Sequence, residues 1–160
     1  MSSRPAPGAP SPGEDVFGRV AWALRRTDLT LQAVKEPSLR AAGVPGSHYA
    51  VLIALHASPG LTGAELARTV GTTPQAVALL VGKLAGRGLI ERRPHPRHRS
   101  VQELHLTDEG RAELAKAERY VTDLERHIQL SLGDQRYRQL RELLVQVMEE
   151  LPNWTPPAES

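Results

Sequence analysis

Six basic side chains crowd into residues 82–100. Lys83, Arg87, Arg92, Arg93, Arg97 and Arg99 are opposed by Glu91 alone, a local charge of +5 on a chain whose net charge is only +2. Such a cluster on a balanced chain suits a polyanion contacted by one face, although a charge run is more often simply a solvated surface. Immediately upstream, Thr72, Gln75, Ala76, Leu79 and Lys83 fall on one side of a short helical segment, with Thr73 and Pro74 at its start. These residue types match a DNA groove. Gln75 can pair with the N6/N7 edge of adenine, worth about 1–3 kcal/mol of discrimination, and Ala76 or Leu79 can meet a thymine methyl. Thr73, with free backbone N–H groups at a helix start, is placed for a phosphate. Lys83 reaches the backbone only. The alternative for Leu79 is packing inside the subunit, but it lies about opposite the stripe of Val77 and Leu84.

The elements that position these residues follow from local signals. Thr62 and Glu65 form a capping box that opens a helix of about two turns, with Leu66, Ala67 and Val70 inward and Gly71 at its end. Thr73 caps the next helix, and Pro74 takes its first position. Val77, Leu80, Val81 and Leu84 supply a buried stripe at the 0, 3, 4, 7 spacing. Gly86 and Gly88 stop it. Leu89–Arg93 and Val101–Leu106 are short enough for strands, with the prolines at 94 and 96 holding the loop between them out of a regular ladder. Helix, helix, strand, basic tip and strand make a winged helix-turn-helix. Arg92 and Arg93 alternate faces on the first strand, so at most one points to DNA. Arg92 has the alternative of an internal pair with Glu91 or Glu103.

The flanks are helical. Residues 1–13 are rich in Pro, Ala, Gly and Ser and read as a disordered tail. A helix is expected from a Ser11 cap to about Lys35, with Val16, Val20, Leu24, Thr27 and Leu31 on one side. Pro37 should interrupt it, with a short helix at 38–42 and another from Pro45 to His56. Thr107 should cap a helix over about 108–131. Gly133 breaks it, and a last helix covers 134–151. Both carry coiled-coil-like apolar spacing, Leu114, Ala117, Val121, Leu124 and Ile128 in one and Tyr137, Leu140, Leu144, Val147 and Leu151 in the other. Residues 152–160 read as a loose tail. The fold class is therefore mainly α with a small β-hairpin.

Composition narrows the function. The 40% apolar content, with aromatics at 4%, calls for an aliphatic core in one domain with a helical extension. No segment approaches a membrane span, and no secretory signal is visible, which places the chain in the cytoplasm. The absence of cysteine excludes disulfides, thiolate metal sites and thiol redox switches. No cofactor motif or catalytic constellation is present; Ser47 and His48 are adjacent, and helical neighbours do not face each other. His95 and His98, with His105 nearby, invite a metal, but Arg97 and Arg99 interleave and repel a cation, so no metal site is assigned. A pH-sensitive wing suits these histidines better.

The ordered set Leu61-Thr62, Glu65-Leu66-Ala67, Val77, Leu80, Val81, Leu84, the run 87–92, Pro96, Arg99 and Leu106–Gly110 resembles the MarR family of bacterial transcriptional regulators over roughly residues 14–150. The resemblance implies a homodimer on double-stranded DNA with a palindromic operator, acting as a repressor. Residues 14–60 are assigned to dimerisation and lobe support, 111–151 to dimerisation, and 61–110 to the DNA-binding lobe. The resemblance puts the wing, with Arg93, Arg97, His98 and Arg99, in a minor groove, Arg99 foremost. It also implies release by a small aromatic or anionic ligand. The effector-pocket candidates are Trp22, Arg26, His48 and Tyr49, with Arg25 and His56 nearby; the alternative puts the Trp and Tyr in the dimer core. The wing departs from the family's Asp-Pro-x-Asp-Arg-Arg, since both acids are His (95 and 98) and the last Arg is Ser100. Two rivals remain: a metal- or ligand-sensing protein, and a winged-helix module that binds protein.

Overall fold

The computed structural model describes residues 16–95 and 101–156. A 3-10 turn at Val16–Gly18 leads into α1 (Val20–Ala41), α2 (Gly46–Ala57), α3 (Gly63–Val70) and α4 (Pro74–Gly86). A hairpin of β1 (Ile90–Pro94) and β2 (Gln102–Leu106) follows, then α5 (Asp108–Leu132), α6 (Asp134–Glu150) and a 3-10 turn at Leu151–Asn153. The start expected at Ser11 lies outside the described residues.

The expected break at Pro37 does not occur, and α1 runs through it to Ala41. Proline removes one backbone hydrogen bond from a helix interior, but tertiary contacts hold the turn beyond it. Leu39 is fully buried. The Glu36 carboxylate accepts from Arg40 Nε at 2.6 Å and from the Gly46 backbone N–H at 2.9 Å, tying the end of α1 to the start of α2. Those bonds, the Arg40 one first, hold the Glu36 carboxyl below its ordinary range.

One core unites the lobe. Leu39, Val51, Leu52, Leu55, Leu66, Val77, Leu84, Leu104, Leu114 and Ala117 belong to it, and among the described residues no polar or charged residue is buried. The core thus runs across residues 60 and 110. The stripe expected on α4 is found, with Val77, Val81 and Leu84 buried and Leu80 packed against them.

The antiparallel hairpin pairs Ile90 with Leu106, Arg92 with Leu104 and Pro94 with Gln102. Pro94 therefore closes β1 rather than opening the loop, its missing N–H tolerated at a strand end. Leu61 forms a bridge to Leu104, whose N–H donates to the Leu61 carbonyl at 2.9 Å, and this fixes the hairpin against the entry to α3.

The start of α5 is locked to the turn after α4. The Thr107 hydroxyl donates to the Gly88 carbonyl at 2.6 Å and accepts from the Gly110 N–H at 3.0 Å, and the Thr107 N–H donates to the Leu89 carbonyl at 3.1 Å. A Cβ at Gly110 would fall on the Leu89 carbonyl oxygen, so only glycine fits there.

Beyond the lobe the helices are bare. The α6 helix has no buried residue, yet it carries Leu140, Leu143, Leu144, Val145 and Met148 exposed. Val20, Leu29 and Val34 of α1 and Leu130 of α5 are exposed as well. No helix among the described residues is long and apolar enough to cross a membrane.

Candidate nucleic-acid interface

The helix pair is set by its caps. Thr62 and Glu65 form the expected capping box: the Glu65 carboxylate accepts from the Thr62 N–H at 2.8 Å, and the Thr62 hydroxyl accepts from the Glu65 N–H at 3.3 Å. The Thr62 bonds hold the Glu65 carboxyl below its ordinary range, the backbone one foremost. Gly71 ends α3 in the left-handed conformation at φ +68°, which sharply redirects the chain into α4.

At the start of α4 the Thr73 hydroxyl accepts from the Ala76 N–H at 3.2 Å, and Pro74 has no N–H. The turn therefore offers fewer free backbone donors to a phosphate than a helix N-terminus usually does. Thr73 keeps its own hydroxyl hydrogen as a donor. Thr72, Thr73, Pro74, Gln75, Leu79 and Lys83 are exposed and Ala76 is half-buried. Leu79 is 62% exposed, which decides against packing inside the subunit. Arg87 donates to the Gly43 carbonyl at 3.4 Å, bracing the end of α4 on the turn between α1 and α2.

On the hairpin the two arginines part company. Arg93 pairs with Glu91 and lines a cleft with His56, Pro59, His105 and Arg111. Arg92 lies on the other face, lining a small hollow with Pro74, Val77, Ala78 and Gln102 beside the start of α4. Arg93, named for the wing, thus lies on the hairpin face away from α4. The cross-strand register puts Arg92 on the α4 side, and Arg92 is not engaged by the acids weighed for it. Arg97, His98 and Arg99 lie outside the described residues.

Glu103, weighed from the sequence only as a partner for Arg92, instead organises the root of the wing with two histidines. One of its oxygens is 3.1 Å from His105 Nε2 and the other 3.7 Å from His95 Nε2. Strand alternation carries the signal, because residues 91, 93 and 95 share a face with 103 and 105 across the register. No group of three or more acidic or His side chains among the described residues is arranged to hold a metal ion.

The four effector-pocket candidates do not converge. Trp22 and Arg26 line a cavity of about 520 Å³ between α1 and α5, with Leu31, Leu124 and Ile128. Trp22 packs edge-on against Phe17, and its buried Nε1 has no partner among the described residues. Tyr49 instead donates its hydroxyl to Glu118 of α5; burial, then that carboxylate, pushes its pKa far up. His48 faces the positive charges of Arg87 and Lys83, and its buried Nδ1 has no partner among the described residues. Arg25 is exposed, and His56 lies in the cleft beside Arg93. Sequence spacing placed these residues on two helices, but the turn between the helices aims them at different neighbours.

Burial, then the charges of Arg87 and Lys83, lowers the His48 pKa. A histidine with a depressed folded-state pKa contributes stability above its unfolded value of about 6.5 and loses it as pH falls through the lower folded value. Thermal melts from pH 7 downward are expected to show an acid-sensitive component that shrinks in His48→Leu. An identical pH dependence in the variant would contradict this.

Two capped helices crossing at a glycine turn, backed by a two-stranded hairpin, define a winged helix-turn-helix protein. The MarR family model matches residues 42–99. The chain is 28% identical over 125 residues to the HTH-type transcriptional repressor Rv2887 of Mycobacterium tuberculosis, covering 78% of this chain and 90% of the relative. Its fold matches the transcriptional repressor CouR bound to a 23-mer DNA duplex at a TM-score of 0.73 and 28% identity, over 82% of this chain and 96% of the other. It also matches Rv2887 in complex with salicylic acid at 0.67 and 27%, over 81% and 96%. The chain is similar to the MarR family over its winged lobe and is a DNA-binding transcriptional regulator.

The hairpin geometry makes an unequal prediction for the two arginines. Arg92→Ala is expected to weaken duplex binding several-fold and lower the salt slope by about one per bound subunit, as for one phosphate contact each. Arg93→Ala should leave binding within about twofold. Anisotropy titrations across a salt series distinguish them, and the reverse ranking would contradict the assignment.

Proposed function

We propose that the chain acts as a cytoplasmic homodimeric repressor on a palindromic operator. Residues 14–60 dimerise and support the lobe, residues 111–151 dimerise, and residues 61–110 form the lobe that contacts DNA. In each subunit α4 enters a major groove with Thr72, Thr73, Gln75, Ala76, Leu79 and Lys83, and half-sites are about 34 Å apart. The wing, with Arg97, His98 and Arg99, reaches the adjacent minor groove. Arg92 replaces Arg93 at its root.

The observation that carries the dimer is α6, a helix of 17 residues with none buried and a row of large apolar side chains in solvent. An exposed apolar face of that extent marks an interaction surface, and the bare faces of α1 and α5 extend it. A small aromatic carboxylate is the proposed effector. The cavity holding Trp22 and Arg26 combines an apolar wall with one cation, and Rv2887 is a relative seen with salicylic acid.

Light scattering with fluorescence anisotropy on labelled promoter duplex tests this reading. A dimeric mass, a complex that weakens steeply with salt and release by added salicylate are expected. A monomeric mass, or binding indifferent to salt, would overturn it.

A further inference from the structure

The exposed face of α4 carries one large apolar side chain where a polar reader would be the simpler choice. Leu79 is 62% exposed, midway along the row Gln75, Leu79, Lys83, whose members are one helical turn apart. Its flanks are small: Ala76 and Ala78 on one side, Gly82 on the other. A methyl added to Gly82 would meet nothing within 4 Å. Leu79 thus stands as a single apolar knob with open approach on both sides. The α4 helix contains no acidic residue, and Lys83 and Arg87 follow the knob. Its packing partners are α2, α3 and β1, so this face is separate from the apolar surfaces of α1, α5 and α6. A protein-docking surface would need a contiguous apolar patch, and a lone leucine among small and basic residues does not make one.

We propose that Leu79 is a specificity-determining residue that packs on the C5 methyl of a thymine in the major groove. The thymine methyl is the apolar group that the base edges present there, and adenine offers the N6/N7 pair that a glutamine can meet. Leu79 and Gln75 together select an A·T-containing step in each half-site, and Gly82 admits the close approach this needs. The inference rests on the placement of α4 in the major groove.

The test uses a duplex recovered by selection from random-sequence DNA, in which each thymine is replaced in turn by deoxyuridine. That exchange removes the methyl and nothing else. At one thymine per half-site the wild-type protein is expected to lose affinity roughly fourfold, and about fifteenfold when both half-sites are changed, as for one buried methyl each. Leu79→Ala, which alters an exposed side chain and should melt like the wild type, should bind the thymine duplex more weakly and be indifferent to the methyl. Tolerance of deoxyuridine at every position would overturn the proposal. Unchanged methyl sensitivity in Leu79→Ala would overturn it too. Failure to recover any duplex would instead remove the groove placement of α4, and this inference with it.

Discussion

Gly110→Ala is expected to destabilise the protein by about 3 kcal/mol or more, a fall in Tm of roughly 6–12 °C. The added methyl has no space, because the Leu89 backbone carbonyl already occupies its position. Backbone cannot rotate aside as a side chain can, so either the first turn of α5 or the turn after α4 must move. Both are tied down by Thr107, which donates to the Gly88 and Leu89 carbonyls from its hydroxyl and its N–H. Relieving the clash therefore also breaks the joint between α5 and the lobe. Gly82→Ala supplies the contrast. It lies in a helix interior with open space around it, so the better helix propensity of alanine should stabilise the fold by up to about 1 kcal/mol. Thermal denaturation followed by circular dichroism measures both. A wild-type melt for Gly110→Ala would mean that α5 does not approach Leu89 as closely as the structure has it.

The second large effect concerns assembly. Leu144→Glu is expected to convert the proposed dimer to monomers at micromolar concentration and to weaken operator binding 100-fold or more. Leu144 is exposed in the single chain, on a helix that buries nothing against the lobe, so the substitution leaves the core untouched. In a two-fold interface it appears twice, and each carboxylate loses hydration without gaining a partner. Two linked half-sites bind with an effective concentration that separate monomers lack. Light scattering reads the mass, and circular dichroism shows that the lobe remains folded. A variant that stays dimeric would move the interface off α6.

Much of the lobe could be read from local chemistry. The Thr62–Glu65 box, the Thr73 cap with Pro74, the left-handed Gly71 and the Val77, Val81, Leu84 stripe each depend on residues within one or two turns. Such interactions survive any tertiary context. The continuity of α1 through Pro37 was not legible, because it rests on Leu39 burial and on a carboxylate reaching ten residues ahead to Gly46. The choice between Arg92 and Arg93 was open for a related reason. Strand alternation tells that they point apart, but only the register and the packing of β2 tell which one meets α4. The pairing of Glu103 with His95 and His105, rather than with Arg92, was not legible because these residues become neighbours only through the pleat. His48 and Tyr49 are adjacent in sequence and diverge in space, one toward the charges of α4 and Arg87 and the other onto Glu118. Gly110 gave no hint of its role, since a backbone approach from another element has no local sequence signal.

The central claim is that two copies of α4 read the two halves of one operator. Selection of bound sequences from random duplex DNA, followed by sequencing of the retained pool, tests it most directly. An inverted repeat with half-site centres about ten base pairs apart, one turn of duplex, is the expected result. Enrichment of an asymmetric site, or no enrichment over the starting pool, would contradict it.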